Sequence, residues 1–274
     1  MPTWLYAPAD RPALVAKALA GLAGVVIVDL EDAVAPGDKD RARAEVVALL
    51  ATPRPRVQIR INDVRTPCGQ ADLRAIGPLC TGTAGIRVPK AESAAALREI
   101  ALAAPGVALH PLVESALGLE LAYEIATACP AVASIGLGEA DLRADLGVAD
   151  ETGLAWARSR IVVAARAAGL PAPAQSVYTA FRDLEGLAAS CRAGRAMGFR
   201  GRAAIHPAQL PVIEAAYRPA EEEIAAAEQV VAAAGAGAVA LPDGRFVDEA
   251  VVRQARALLA DAGRPGGAIP AGTA

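Results

Sequence analysis

Val25-Val26-Ile27-Val28-Asp29-Leu30-Glu31-Asp32 passes from an apolar run straight into acids, and the same step recurs along the chain. Val57-Gln58-Ile59 leads to Arg60-Ile61-Asn62, and Gly85-Ile86-Arg87-Val88 to Pro89-Lys90. Leu109-His110-Pro111-Leu112-Val113 leads to Glu114, and Ile135-Gly136-Leu137-Gly138 to Glu139-Ala140-Asp141. Short apolar runs bounded by Gly or Pro, with longer helical patterns between them, read as buried parallel strands. Charge at the C-terminal ends of such strands gathers around one mouth, where a (β/α)8 barrel carries its chemistry.

Outward from that stretch, strands are expected at Thr3–Ala7, Val25–Leu30, Val57–Ile61, Ala84–Val88, Val107–Val113, Val132–Leu137, Ala174–Val177 and Ala203–Ile205. The intervening helical patterns fall near residues 11–22, 36–50, 71–79, 92–103, 117–128, 156–168 and 184–197. The second opens at Pro36-Gly37-Asp38 and repeats Ala42, Val46, Leu49 and Leu50 at helical spacing. Eight βα units give an α/β fold, a (β/α)8 TIM barrel over residues 1–218, with a C-terminal helical extension. The extension, residues 219–262, reads as two helices near 220–234 and 248–262 around the turn Pro242-Asp243-Gly244-Arg245. Lying beyond the eight units, it is expected to pack on a neighbouring subunit, and the Gly- and Pro-rich residues 263–274 to form a flexible tail.

The chain has 274 residues, enough to bury a large core, and 54% of them are hydrophobic but only 3% aromatic. Ala, Val, Leu and Ile must therefore fill that core. A net charge of −3 gives no basic footprint for nucleic acid or membrane. No apolar run approaches a membrane span, and the N-terminus lacks the regions of a signal peptide. Cys68, Cys80, Cys129 and Cys191 are scattered without CxxC spacing, which suits reduced thiols in the cytoplasm.

The two histidines have no His or Cys partner at metal-ligand spacing, so zinc is not expected. Triad-hydrolase and dinucleotide motifs are absent from the sequence. Carboxylate chemistry remains. Glu114 and Asp141 end consecutive expected strands, where they either hold a hard cation such as Mg2+ or cap the helices that follow. Arg60 closes an apolar strand as a partner of Glu31 or Asp32, or as a donor to charge developing on a substrate oxygen. Lys90 fits a Schiff-base lysine or a solvated anion-binding residue. His206, in Ile205-His206-Pro207-Ala208-Gln209, serves as a base or orients its loop.

Taken in order, several segments resemble the citrate lyase beta subunit and malyl-CoA lyase group of the HpcH/HpaI aldolases over nearly the whole chain. They are Leu5-Tyr6-Ala7-Pro8-Ala9-Asp10-Arg11-Pro12, Asp29-Leu30-Glu31-Asp32-Ala33-Val34, Lys39, Arg60-Ile61-Asn62 and Val88-Pro89-Lys90-Ala91-Glu92. Leu112-Val113-Glu114-Ser115-Ala116, Gly138-Glu139-Ala140-Asp141-Leu142 and Ala204-Ile205-His206-Pro207-Ala208-Gln209 complete them. The resemblance implies that Glu114 and Asp141 bind Mg2+, that Arg60 binds substrate and acts in catalysis, and that Glu31, Asp32 and Glu114 line the substrate site. It implies a CoA-thioester arm along Arg11, Lys39, Lys90, His206 and Pro207. It also implies a catalytic Asp248, in Phe246-Val247-Asp248, reaching a neighbour's site in a homotrimer or hexamer; a plain helix cap is the alternative for that acid. Where relatives often carry an acid, this chain has Ala174-Gln175-Ser176-Val177-Tyr178.

The implied activity is Mg2+-dependent cleavage of a 3-hydroxy-3-carboxyalkyl thioester (citramalyl-, malyl- or citryl-CoA) to an acyl-CoA and a 2-oxo acid. The alternatives are a malate-synthase-like condensation with thioester hydrolysis, a carrier-dependent citrate lyase beta subunit, and a non-catalytic acyl-CoA-binding scaffold.

Overall fold

The computed structural model describes residues 3–80, 84–233, 239–240 and 246–264. The chain divides into two compact units, Met1–Tyr217 and Arg218–Ala274.

In the first unit parallel strands alternate with helices. They are β1 (Thr3–Pro8), α1 (Pro12–Ala20), β2 (Val25–Asp29), α2 (Lys39–Leu49), β3 (Val57–Arg60), α3 (Pro67–Ile76) and β4 (Ala84–Val88). Then come α4 (Ala94–Ala103), β5 (Ala108–Val113), α5 (Ala116–Glu120), α6 (Ala122–Ala126), β6 (Gly136–Leu137) and α7 (Glu139–Leu146). The unit ends with α8 (Ala155–Ala167), α9 (Leu184–Ala196), β7 (Arg202–Ala204) and α10 (Leu210–Tyr217). Among the described residues the sheet order is β6-β5-β4-β3-β2-β1-β7, and every pairing is parallel.

Helix starts follow local chemistry. The Thr66, Ser93, Ser115 and Asp183 side chains accept backbone N–H groups at the first turns of α3, α4, α5 and α9, satisfying donors with no partner inside the helix. Pro12 opens α1, where its missing N–H costs nothing. The helix expected at 117–128 is two short helices that meet at Leu121.

Two expected strands shrink. The sixth pairs only at Gly136–Leu137, preceded by a lone bridge from Leu109 to Val132. The seventh is a lone bridge from Gln175 to Arg202. Pro173 has no N–H to give a ladder. The Gln175 amide is held by Tyr217 Oη at 2.6 Å and by the Ser190 carbonyl at 3.2 Å. On its other side this segment touches the end of β6, where the Glu139 N–H donates to Ser176 Oγ at 3.2 Å.

Side chains alternate across a strand, and here the two faces differ in kind. Leu5, Ala7, Val26, Val28, Val57, Ile59, Ile86, Val88, Leu109, Val113 and Ala204 join one apolar cluster with Val15, Val46, Ile76, Leu97, Ile100, Ile161 and Leu187 of the helices. The intervening positions, Tyr6, Ile27, Asp29, Gln58, Arg60, Arg87 and His110, turn to the opposite face. The core of Ala, Val, Leu and Ile is thus the layer between sheet and helices, while the other face is largely polar.

The second unit packs α11 (Glu221–Ala233) on α12 (Glu249–Asp261) through Ile224, Ala227, Val230, Val252, Ala255 and Leu259. Strands β8 (Val239–Ala240) and β9 (Phe246–Val247) pair antiparallel between them; the expected turn at 242–245 lies outside the described residues. Gly263 closes α12 in the left-handed region (φ +66°) and Arg264 pairs with Glu221 at 3.2 Å. The rest of the expected tail, 265–274, lies outside the described residues.

A carboxylate that the sequence reading passed over pins the β3 end of the sheet. Asp72 is 0% exposed and accepts from Arg43 Nε at 2.6 Å, Asn62 Nδ2 at 2.6 Å and the Asn62 N–H at 2.9 Å. Asp72→Ala leaves Arg43 Nε and the buried Asn62 amide without an acceptor, although Asp40 still takes Arg43 Nη1 at 2.6 Å. The substitution is expected to destabilise the fold by roughly 1–3 kcal/mol, read as a lower urea midpoint at unchanged slope. A midpoint equal to the parent's would show that the contact carries no stability.

Candidate active site

Arg60, at the last position of β3 and only 9% exposed, organises the C-terminal ends of the strands. Its Nε and Nη2 grip both oxygens of Asp29 at 2.7 and 2.6 Å. Its Nη1 lies 3.1 Å from Asp32 Oδ2 and 2.9 Å from Glu31 Oε2, and the Tyr6 ring centroid lies 5.0 Å from the guanidinium carbon. Partnership with Glu31 and Asp32 is therefore observed. Asp29, absent from the expected site residues, is the principal partner. It also accepts the Glu31 and Ala33 N–H groups at 2.9 and 3.3 Å, which folds the acidic loop back over the guanidinium. Burial opposes the Arg60 charge, but Asp29 outweighs it and raises the pKa, so the cation is permanent.

Glu114 follows β5 and is 4% exposed. It does not cap α5; Ser115 does that. Glu114 Oε2 instead accepts the Lys90 N–H at 2.9 Å, and Lys90 has φ +50°, the one non-glycine residue in the left-handed region among those described. That conformation costs about 1–2 kcal/mol and aims the peptide at the carboxylate. Gly138 makes room on the other side, since a Cβ there would lie 2.2 Å from Glu114 Oε1. Burial first, then the charges of Glu31 and Asp141, push Glu114 up to about 8. Burial likewise raises Glu31, whose Oε1 pairs with Lys90 Nζ at 2.9 Å. Glu31 Oε2 is in ion-pair range of Arg60 but out of line for a hydrogen bond, so this buried oxygen has no donor. Asp141 stands in the first turn of α7.

These observations test the fit of a cation. Burial first, and then the charges of Glu31 and Asp141, favour the protonated form of Glu114, and one buried oxygen of Glu31 is orphaned. Hard oxygen donors with surplus negative charge suit Mg2+, which takes one or two protein carboxylates and keeps other positions for water or substrate. Among the described residues no group of three or more His, Cys, Asp or Glu side chains is placed to hold a metal ion.

The remaining expected site residues have other surroundings. Lys39 Nζ donates to the Leu30 and Glu31 carbonyls, each at 2.6 Å, and so fastens the acidic loop. Arg11 is exposed at the start of α1. His206 is exposed, stacks on Phe181 with centroids 5.2 Å apart and accepts the Ala208 N–H at 3.1 Å, so it orients its loop, with Pro207 opening the short turn that follows. Asp248 caps α12 in the second unit, accepting the Val251 N–H at 2.9 Å. The sequence reading missed Glu139, which Arg158 clasps through both oxygens at 2.9 and 2.6 Å. It also missed the polar row of Gln58, Arg87 and His110, although the i, i+2 spacing of Gln58 and Arg60 within an apolar strand was a legible sign.

Parallel strands whose ends gather acids around a buried guanidinium define an α/β enzyme with a mouth built for a cation. The chain belongs to the HpcH/HpaI aldolase/citrate lyase family, whose model matches residues 3–207. It is 40% identical to a citrate lyase subunit beta-like protein of Mycobacterium tuberculosis, covering 96% of both chains. It is 37% identical to a (3S)-malyl-CoA thioesterase of Cereibacter sphaeroides, over 94% of this chain and 93% of the relative. Among solved structures, protein CitE from Mycobacterium tuberculosis in complex with magnesium, acetoacetate and coenzyme A superposes with a TM-score of 0.84 at 39% identity. The match covers 96% of this chain and 98% of that one.

A pH dependence follows. In the folded, cation-free protein Glu114 keeps its proton up to about 8, whereas its ordinary value is 4.5. The folded state therefore binds more protons between those values. The stabilisation from Glu114 is complete below 4.5 and is lost as pH rises through 8. Urea midpoints of chelator-treated protein should fall across that window, and Glu114→Gln should flatten the fall. An equally steep fall in the variant would assign it to other groups.

Proposed function

We propose that this chain is a Mg2+-dependent carbon–carbon lyase that cleaves a 3-hydroxy-3-carboxyalkyl thioester, such as citramalyl-, malyl- or citryl-CoA, to an acyl-CoA and a 2-oxo acid. The observation that carries the reading is the surplus of buried carboxylate at the strand ends, Glu114 above all, beside the fixed charge of Arg60. Family membership and magnesium- and coenzyme A-bound relatives support it. The eight strand positions then close as a (β/α)8 barrel, with the Gln175 segment as seventh stave.

Glu114 and Asp141 would hold the ion. Bound there, Mg2+ supplies a Lewis acid that polarises the oxo-acid carbonyl. Arg60 keeps the Asp29–Glu31–Asp32 loop in place and contributes fixed positive charge where the thioester enolate develops, a charge present only along the reaction path. Glu31 and Asp32 line the oxo-acid side, and the Glu31–Lys90 pair holds the Lys90 peptide against Glu114. Arg11, Lys90 and the His206-Pro207 loop border the path of the CoA arm, with Lys39 holding its floor. Asp248, delivered from a neighbouring subunit of a trimer or hexamer, moves the proton on or off the enolate carbon. We place the enzyme in the cytoplasm, in line with four free cysteines; no described helix is long and apolar enough to cross a membrane.

A second reading, condensation followed by thioester hydrolysis, is favoured by the similarity to a (3S)-malyl-CoA thioesterase. A panel of hydroxyacyl-CoA thioesters with Mg2+ separates the two. The lyase releases 2-oxo acid with no free thiol, and a hydrolase releases CoA thiol. Activity is expected to vanish in chelator and in Glu114→Ala; full turnover by that variant in chelator would defeat the metal assignment.

Subunit sharing is tested by mixing two inactive proteins, Asp248→Ala and Glu114→Ala. If Asp248 acts across an interface, some sites in exchanged oligomers combine two intact halves, and part of the activity returns. Mixtures verified to have exchanged subunits but as inactive as either parent would leave Asp248 as a helix cap alone.

A further inference from the structure

Arg87 lies beside Arg60 in register, on the next strand and on the same polar face. It is 9% exposed and, among the described residues, has no carboxylate partner. Its Nε and Nη2 both donate to one neutral acceptor, Gln58 Oε1, at 3.1 and 2.8 Å. A buried guanidinium with only an amide to face costs several kcal/mol relative to a paired one. Its neighbours do not offset that charge. His110, paired with Arg87 across β4 and β5, is held neutral, pushed down to about 3 by burial and by Arg87 itself, and its Nδ1 is engaged by Ser134 Oγ at 2.8 Å.

The other cations of the mouth are already engaged. Arg60 faces Asp29, Glu31 and Asp32, and Lys90 pairs with Glu31. Arg87 is thus the cation on this face whose charge awaits an anion, three residues before Lys90 on the strand that leads into the mouth. We propose that Arg87 is a specificity residue that binds a second carboxylate of the substrate, so that the 2-oxo acid handled by this chain is a dicarboxylate. A planar guanidinium fork suits a carboxylate better than an ammonium does. The proposal rests on the lyase reading above and names its substrate class.

Calorimetry on the full chain loaded with Mg2+ tests it, using oxaloacetate and pyruvate as ligands. The parent should bind oxaloacetate roughly 10- to 100-fold more tightly, the value of one charge-assisted interaction. R87Q should abolish that gap while leaving pyruvate affinity unchanged, which also shows that the variant is folded. R87K keeps the charge without the fork and should narrow the gap; it decides the matter should R87Q fail to fold. A gap that survives in folded R87Q or stays undiminished in R87K, or an equal loss for both acids, overturns the assignment and makes Arg87 a structural cation. Binding of neither acid by the parent overturns the lyase reading, and this proposal with it.

Discussion

The active end of the sheet depends on the ion pair between Arg60 and Asp29. Both groups are buried, so each would be costly alone. Two short contacts between the guanidinium and both carboxylate oxygens fix the pair in one plane. Asp29 also takes two backbone N–H groups of the loop that follows it, and that loop carries Glu31 and Asp32. Glu31 in turn anchors Lys90, whose strained backbone presents its N–H to Glu114. One cation therefore positions a chain of acids from β2 to β5.

The same chain explains the electrostatics of the mouth. Asp29, Glu31, Asp32, Glu114 and Asp141 stand against Arg60 and Lys90, and the excess falls on Glu114. Raising a carboxyl to about 8 is what burial does first, helped by neighbouring acids. A divalent ion held there, as proposed, would remove the conflict and turn mutual repulsion into shared coordination. The strain at Lys90 belongs to the same arrangement, since the peptide orientation that satisfies Glu114 is one that an L-residue adopts only under compulsion.

The two faces of the sheet divide the work. Alternation places aliphatic side chains against the helices and polar ones opposite, so the stabilising core and the reactive interior are built from the same strands without mixing. The polar interior reaches back from the mouth through Arg87, Gln58 and His110, and the proposed carboxylate reader lies along that row.

Periodicity and punctuation made most of the elements legible in the sequence. Six of the strands fall within a residue or two of the expected positions, because apolar runs ended by Gly, Pro or charge report burial directly. Arg60, Glu31, Asp32, Glu114 and Asp141 were legible as strand-end charges, and the family resemblance gave them roles. The partnerships were not legible. Arg60 and Asp29 are separated by 31 positions, and Lys90 and Glu31 by 59, and no local pattern says which acid a cation will meet. The weak seventh strand came from a proline and from a glutamine amide held by Tyr217 and Ser190, both supplied by other elements. Arg87 looked like one more residue of an apolar run until the register placed it on the polar face without an acid. Which segments are buried, and where charge leaves them, can be read along the chain, because burial and secondary structure act over a few neighbouring residues. Which charges pair and which remain open emerges with the three-dimensional fold, because Coulomb energy depends on distance and burial in space.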